Sequence, residues 1–433
     1  METKRISPID RPLHATVRLP GSKSITNRAL LIASLASGTT HLSNALFSDD
    51  SLYFAGALQK LGFELSLDPL AGEIRLRGLG GQIPSRKAEL FIGDAGTAAR
   101  FLSAFLTLGN GEFVLDGDAR MHQRPIGDLI SALQQLGASI HGINSGPSGV
   151  DQKSICPPVV VTASGLIGGS ARVSGDLSSQ FLSAVLMVAP YAKNPVNLSV
   201  DSDLHSKPYV DLTLSIMSDF GVPVHREGYQ HFAIQHARYE ARETYTVESD
   251  ATAASYFFAA PAILGGSVRV ENLSRRSKQG DVAFLDVLEQ MGCTITEGTD
   301  YLEVTGAHSL KGVDVFMGDI PDTAQTLATI APFASSPTRI RGIASARVKE
   351  TDRIAATGAE LRRLGVQVEE YPDGLTIYPC SSIQPATIHT YDDHRMAMSF
   401  SIIGLRVKDI EIENPACVSK TFPNYFEVLE KLR

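Results

Sequence analysis

The sequence predicts an α/β protein of two domains, each assembled from three copies of one α/β unit. Three observations predict it. The chain has 433 residues, more than a single hydrophobic core usually accommodates. One local pattern, an amphipathic helix followed by glycine and then a strand, returns along the whole sequence. A second pattern, a helix apolar on every side, alternates with the first.

The amphipathic pattern spans 57–65, 132–140, 216–224, 287–295 and 360–368. Its glycines, Gly62, Gly137, Gly221, Gly292 and Gly365, recur at intervals of 71 to 84 residues. Each suits the left-handed position after a helix C-terminus. A sixth copy ends at 425–433. The second pattern is a helix rich in Ala, Ser, Phe and Leu, a turn of small residues, and a β-branched strand. It occupies 28–42, 98–115, 180–200, 253–270, 325–340 and 395–412. A helix apolar all round is buried on all sides, whereas the helices with faces such as Gln134-Gln135 and Arg362-Arg363 face solvent. Six units of this kind give two domains of three, with the link at 237–245, a polar stretch before Val247. A single long solenoid competes with this reading. The all-round apolar helices argue against it, since a solenoid usually leaves one face of each layer exposed.

Composition excludes several classes. A formal charge of -8 argues against nonspecific nucleic-acid binding, which needs net or dense positive charge. An anionic ligand therefore requires a local cluster of cations. The first twenty residues mix Lys4, Arg5, Asp10 and Arg11 with prolines and contain no apolar targeting core, and no stretch elsewhere reaches membrane-spanning length. The four cysteines, Cys156, Cys293, Cys380 and Cys417, are far apart and form no Cys-x-x-Cys pair. A buried, reduced role is expected of them, with no metal site, in a cytoplasmic protein away from membranes.

A polar segment precedes each buried helix: Gly21 to Ser24, Gly93 to Thr97, Gly175 to Gln180 (with Asp176 and Leu177), Ser249 to Thr252, Gly318 to Thr323, and Tyr391 to Arg395. Ser, Thr and Asp there are ordinary N-caps. Lys23, Arg28, Arg100 and Arg395 are less easily explained, because a helix N-terminus already carries partial positive charge. Arg124, Lys349, Arg353 and Lys420 add cations from loops and helix starts. Together they would line a cleft for a substrate bearing several negative charges.

Four of these stretches carry a resemblance. Pro20-Gly21-Ser22-Lys23-Ser24-Ile25-Thr26-Asn27-Arg28, the segment Gly93 to Arg100, Arg347-Val348-Lys349-Glu350-Thr351-Asp352-Arg353, and Asp393-His394-Arg395-Met396-Ala397-Met398 resemble the signatures of the EPSP synthase family of enolpyruvyl transferases, in order along essentially the whole chain. The resemblance implies an inside-out α/β barrel of two domains. One is 21–245; the other combines 1–20 with 246–433, and the active site lies in the cleft between them. It also implies transfer of the carboxyvinyl group of phosphoenolpyruvate to the 5-hydroxyl of 3-phosphoshikimate, in chorismate and aromatic amino acid biosynthesis. No cofactor or metal is implied, nor any partner beyond the two small-molecule substrates, and the chain is expected to be a monomer.

By the same resemblance Lys23, Asp322 and Glu350 are catalytic: Glu350 exchanges the proton at C3, Asp322 accepts the hydroxyl proton, and Lys23 stabilises charge or relays a proton. Lys23, Gly96, Arg124, Gln180, Arg353, Arg395 and Lys420 correspond to phosphoenolpyruvate contacts. Lys23, Ser24, Arg28, Ser178, Ser179, Gln180, Tyr209, Asp322 and Lys349 correspond to 3-phosphoshikimate contacts. Three positions depart from the family pattern: Asp94 where Asn is usual, Ser345 where Asn is common, and Phe101 where Pro or Leu is frequent. Asp94 is left out of the binding set, because a carboxylate beside a phosphate weakens binding unless it is paired or protonated.

Two rival readings are set against this one. The sister transferase acting on UDP-N-acetylglucosamine reads Lys-Asn where this chain has Lys23-Ser24, and carries a loop cysteine; none occurs here between Met1 and Gln152. A catalytically silent anion-binding protein of the same fold has no need of Glu350 beside a cationic clamp.

Overall fold

In the computed structural model, which describes residues 2–143, 154–175, 178–202 and 204–433, the two helical patterns alternate without a break. In chain order the α-helices among the described residues are α1 (Lys23–Leu35), α2 (Asp49–Lys60), α3 (Gly96–Leu106), α4 (Gly127–Gln135), α5 (Ser179–Val188), α6 (Lys207–Asp219), α7 (Ala251–Leu264), α8 (Phe284–Gln290), α9 (Ala324–Ile330), α10 (Arg353–Arg363), α11 (His394–Gly404) and α12 (Tyr425–Glu430). Odd-numbered helices are the buried ones. Every residue of α3, α9 and α11 is shielded from solvent.

Burying these helices strands their hydroxyl groups, and the helices themselves supply the acceptors. Ser34 donates to the carbonyl of Leu31, Ser103 to Ala99, Ser255 to Thr252, Thr329 to Thr326 and Ser401 to Met398, all at 2.6–2.9 Å. Each of these five hydroxyls returns to a carbonyl one turn back, so these side chains sit in the core with their hydrogen bonds met. The even-numbered helices keep a wet face, as at Gln59-Lys60, Gln134-Gln135 and Arg362-Arg363. Five of them end at the predicted glycines. Gly62, Gly137, Gly221, Gly292 and Gly365 have φ of +93°, +86°, +87°, +103° and +82°, the conformation in which a Cβ is costly.

Each repeat contributes one small sheet. In the second, Lys87–Phe91 runs parallel to Asn110–Asp116, the two joined through α3; Asn110–Asp116 then pairs antiparallel with Val159–Ser164, which pairs antiparallel with Ser139–Gly142. Four other sheets repeat this order. The first takes its edge strand from far along the chain, with Tyr245–Thr246 lying parallel to Leu42–Ser43. The fourth takes Leu13–Val17 beside Gly266–Glu271, and the three-stranded sixth takes Thr3–Arg5 beside Glu411–Glu413.

The chain accordingly divides into two compact units. One is Gly21–Val247; the other is Met1–Pro20 together with Glu248–Arg433. Each has its own hydrophobic core, built round α1, α3 and α5 in the first and α7, α9 and α11 in the second. The stretch 237–245, expected to be a link, is instead folded into the first unit. Tyr239 is 1% exposed and donates its hydroxyl to the carbonyl of Met187 at 2.9 Å. Polar composition there misled because the segment alternates exposed charges with a buried aromatic anchor. All four cysteines are free thiols, and Cys293 is buried.

Candidate active site

A buried helix must find acceptors for its first N–H groups, and the polar segments supply them. Ser22 accepts from the amide of Ile25 at 3.4 Å, Ser178 from Gln180 at 3.2 Å, Asp250 from Ala253 at 2.8 Å and Asp393 from Arg395 at 2.8 Å. Asp176 and Leu177, in the segment before α5, lie outside the described residues. Capping accounts for these side chains but not for the cations beside them.

In the unit Gly21–Val247, Lys23 opens α1 and its Nζ lies 3.1 Å from Oδ2 of Asp50, which is 2% exposed. Farther along α1, Arg28 is fully buried. Its Nε donates to the Thr213 hydroxyl at 2.8 Å, Nη1 to the Ser24 carbonyl at 2.9 Å, and Nη2 to the Ser183 hydroxyl and the Tyr209 carbonyl at 3.4 and 3.3 Å. The Phe101 ring lies 5.1 Å from its guanidinium carbon. Among the described residues every acceptor is neutral, and burial lowers the Arg28 pKa to about 10. A desolvated cation with no carboxylate among its described partners favours an anion nearby. Arg28 thereby gathers Ser24, Tyr209 and, through Ser183, the helix that begins Ser179-Gln180.

Gly96 and Arg124 make a second cationic point on this unit. Arg124 is 5% exposed and donates from Nη1 to the Asp94 carbonyl at 2.6 Å. A Cβ on Gly96 would lie 2.4 Å from Nη2 of Arg124, so glycine is what admits the guanidinium to the start of α3. Arg100 has a bracing role: it donates to the carbonyls of Pro125 at 2.7 Å and Gly96 at 3.3 Å, holding the loop that follows Arg124.

The other unit holds a denser array. Asp322, in the turn Pro321–Thr323 ahead of α9, accepts from Arg353 Nη1 at 3.2 Å and Arg395 Nη2 at 2.8 Å, with Lys349 Nζ at 3.7 Å. Arg353, first residue of α10, also donates from Nη2 to Glu350 at 2.6 Å, and from Nε and Nη2 to the two oxygens of Asp393 at 2.7 and 3.2 Å. Burial alone would lower the Arg353 pKa. The charges of Asp393, Glu350 and Asp322 outweigh it and hold the group above the ordinary arginine value. Arg395 donates from Nη1 to the Tyr256 hydroxyl at 3.3 Å, and burial pushes that phenol up to about 12, leaving it neutral. Lys420, 6% exposed, ends the turn Pro415–Lys420 that packs on α11.

The structure thus brings Asp322, Lys349, Glu350, Arg353 and Arg395 into one ion-paired array, and Ser24, Arg28 and Tyr209 into another set. Three contributors were not singled out from the sequence. Asp50, in the first turn of α2, and Tyr256, inside the apolar helix α7, stand outside every motif, and Asp393 stands in its motif only as a cap. A buried tyrosine needs a partner for its hydroxyl, and that was the one available signal. Of the departures from the family pattern, Phe101 lies against Arg28, Asp94 lends its carbonyl to Arg124, and Ser345 is half-buried in the turn Ala344–Val348.

An array of fixed cations interleaved with carboxylates holds anions and moves protons. Comparison with known proteins agrees in kind. The family described as EPSP synthase (3-phosphoshikimate 1-carboxyvinyltransferase) matches residues 8–429. A 3-phosphoshikimate 1-carboxyvinyltransferase of Nostoc punctiforme is 52% identical over 427 residues, covering 98% of both chains. That of Shewanella halifaxensis is 48% identical over the full length of both. The structure of EPSP synthase from Acinetobacter baumannii superposes with a TM-score of 0.82 at 25% identity, covering 100% of this chain and 98% of that one.

Proposed function

The chain belongs to the 3-phosphoshikimate 1-carboxyvinyltransferase (EPSP synthase) family and transfers the enolpyruvyl group of phosphoenolpyruvate to the 5-hydroxyl of 3-phosphoshikimate in aromatic amino acid biosynthesis, and from that premise we propose how its residues divide the work. In the addition step the 5-hydroxyl oxygen bonds to C2, Asp322 takes the hydroxyl proton, and Glu350 gives a proton to C3. The resulting tetrahedral intermediate carries phosphate on C2. In the elimination step Glu350 takes a proton back from C3, the double bond reforms and phosphate leaves. Lys23 stabilises the charge that develops or relays a proton.

One observation carries this assignment: Glu350 and Asp322 both touch Arg353, at 2.6 and 3.2 Å. An incoming carboxylate or phosphate competes for the same guanidinium and loosens the carboxylates that pair with it, which frees them for proton exchange. Arg124, Arg353, Arg395 and Lys420, with Gly96, Gln180 and Lys23, contact phosphoenolpyruvate. Lys23, Ser24, Arg28, Ser178, Ser179, Gln180, Tyr209, Asp322 and Lys349 contact 3-phosphoshikimate. An enzyme working without nucleic acid fits the net charge of -8; among the described residues no helix is long and apolar enough to cross a membrane.

Glu350→Gln tests the central role. It keeps size and hydrogen bonding but cannot exchange a proton, so turnover should fall by roughly a hundred- to ten-thousandfold while 3-phosphoshikimate affinity changes far less. In deuterated water the wild-type enzyme should wash deuterium into the product methylene and the variant only very slowly. If Glu350 merely orients Arg353, the loss appears in phosphoenolpyruvate binding and deuterium enters at the normal rate.

A further inference from the structure

The turn that delivers Asp393 and Arg395 is held in an unfavourable backbone conformation. Tyr391 and Asp392, consecutive and neither of them glycine, have φ of +55° and +57°. A bulky residue in the left-handed region persists only where its surroundings over-determine it. Those surroundings converge on Glu360. Its side chain is fully buried in α10, its Oε1 accepts the Tyr391 hydroxyl at 2.8 Å, and its Oε2 accepts the His389 amide at 3.1 Å and Arg363 Nε at 3.0 Å. From the other side Asn414 Nδ2 donates to Asp392 Oδ1 at 2.9 Å. The turn closes with the Asp393 amide donating to the Thr390 carbonyl at 2.9 Å.

Glu360 and Arg353 lie two turns apart on the same face of α10. Arg353 grips Asp393, and Glu360 grips 389–391, so one helix holds both ends of the strained turn. We propose that Glu360 and Tyr391 form a positioning strap that fixes the 390–393 turn and so aims Arg395 at phosphoenolpyruvate. Neither residue touches a reacting atom; both act through Asp393 and Arg395. The proposal rests on the reading of Arg395 as a phosphoenolpyruvate contact.

The chemistry of the strap sets the variants. In Glu360→Gln the amide oxygen still accepts from His389 and Arg363, while the amide nitrogen donates to a Tyr391 hydroxyl that has reversed its role, so the strap survives. Tyr391→Phe deletes one bond at a partly exposed ring and leaves the fold in place. Expected are a rise in the KM for phosphoenolpyruvate of about three- to tenfold in Tyr391→Phe, a change within about twofold in Glu360→Gln, and little effect on the KM for 3-phosphoshikimate. In an Arg395→Ala background Tyr391→Phe should raise that KM no further, because the strap has lost what it positions; a general structural weakening would multiply instead. Multiplied effects, or no rise for Tyr391→Phe where Arg395→Ala alone raises the KM, overturn the strap. If Arg395→Ala leaves the KM unchanged, the reading of Arg395 falls first. Amide hydrogen exchange at Asp393 to Ala397 then decides the strap separately: Glu360→Ala should speed it and Glu360→Gln should not, and unchanged exchange in Glu360→Ala contradicts the proposal.

Discussion

At residue 96 a side chain has no room. A methyl there meets Arg124 Nη2 at 2.4 Å, and because Arg124 is pinned to the Asp94 carbonyl, the guanidinium must leave its place. Gly96→Ala should therefore weaken phosphoenolpyruvate binding by roughly one lost charge-assisted hydrogen bond, about 1.5–3 kcal/mol, or about ten- to a hundredfold in KM. Steady-state kinetics with each substrate varied in turn checks this, and the KM for 3-phosphoshikimate should move by less than about twofold. The cations of the site were legible in the sequence because Lys and Arg at helix starts oppose the helix dipole, so each one asks for an explanation. Several of their partners were not. Lys23 meets Asp50, and Arg395 meets Tyr256 from 139 residues away, pairings that leave no mark on local spacing.

Among the elements, α10 bears the most on the site, since it presents Arg353 at its first residue. It starts where Asp352 accepts from the Ala355 amide at 3.1 Å, and the same carboxylate bonds Arg347 Nη1 at 2.8 Å. Asp352→Ala removes the cap and should cost about 1 kcal/mol, seen as a lower urea midpoint at unchanged slope. Because the cap also fixes the first turn, turnover should fall along with stability. Helices were the most legible elements. The glycine that ends each amphipathic helix is a local signal, and the buried helices announce themselves by having no polar side. Strand pairing was not legible, because Thr3–Arg5 and Glu411–Glu413 meet across nearly the whole chain.

For the molecule as a whole, the repeats explain how the chain makes two cores, but the closing strands explain why the units begin and end where they do. Tyr245–Thr246 completes the first sheet of one unit, and Leu13–Val17 opens the first sheet of the other. A repeat read from sequence shows similar units and says nothing of which strand is borrowed. If both units act on the same substrates, 3-phosphoshikimate should slow amide exchange at the starts of α1 and α5 in one unit and around Lys349 to Arg353 in the other. Protection limited to one unit would confine the ligand to that unit. The most direct measurement is phosphate release from phosphoenolpyruvate by the wild type, by Lys23→Met in one unit and by Glu350→Gln in the other, with 3-phosphoshikimate or UDP-N-acetylglucosamine as acceptor. The wild type should release phosphate only with 3-phosphoshikimate, and each variant should be slower by about a hundredfold or more. Release at the wild-type rate by either variant, or with UDP-N-acetylglucosamine, would contradict the account.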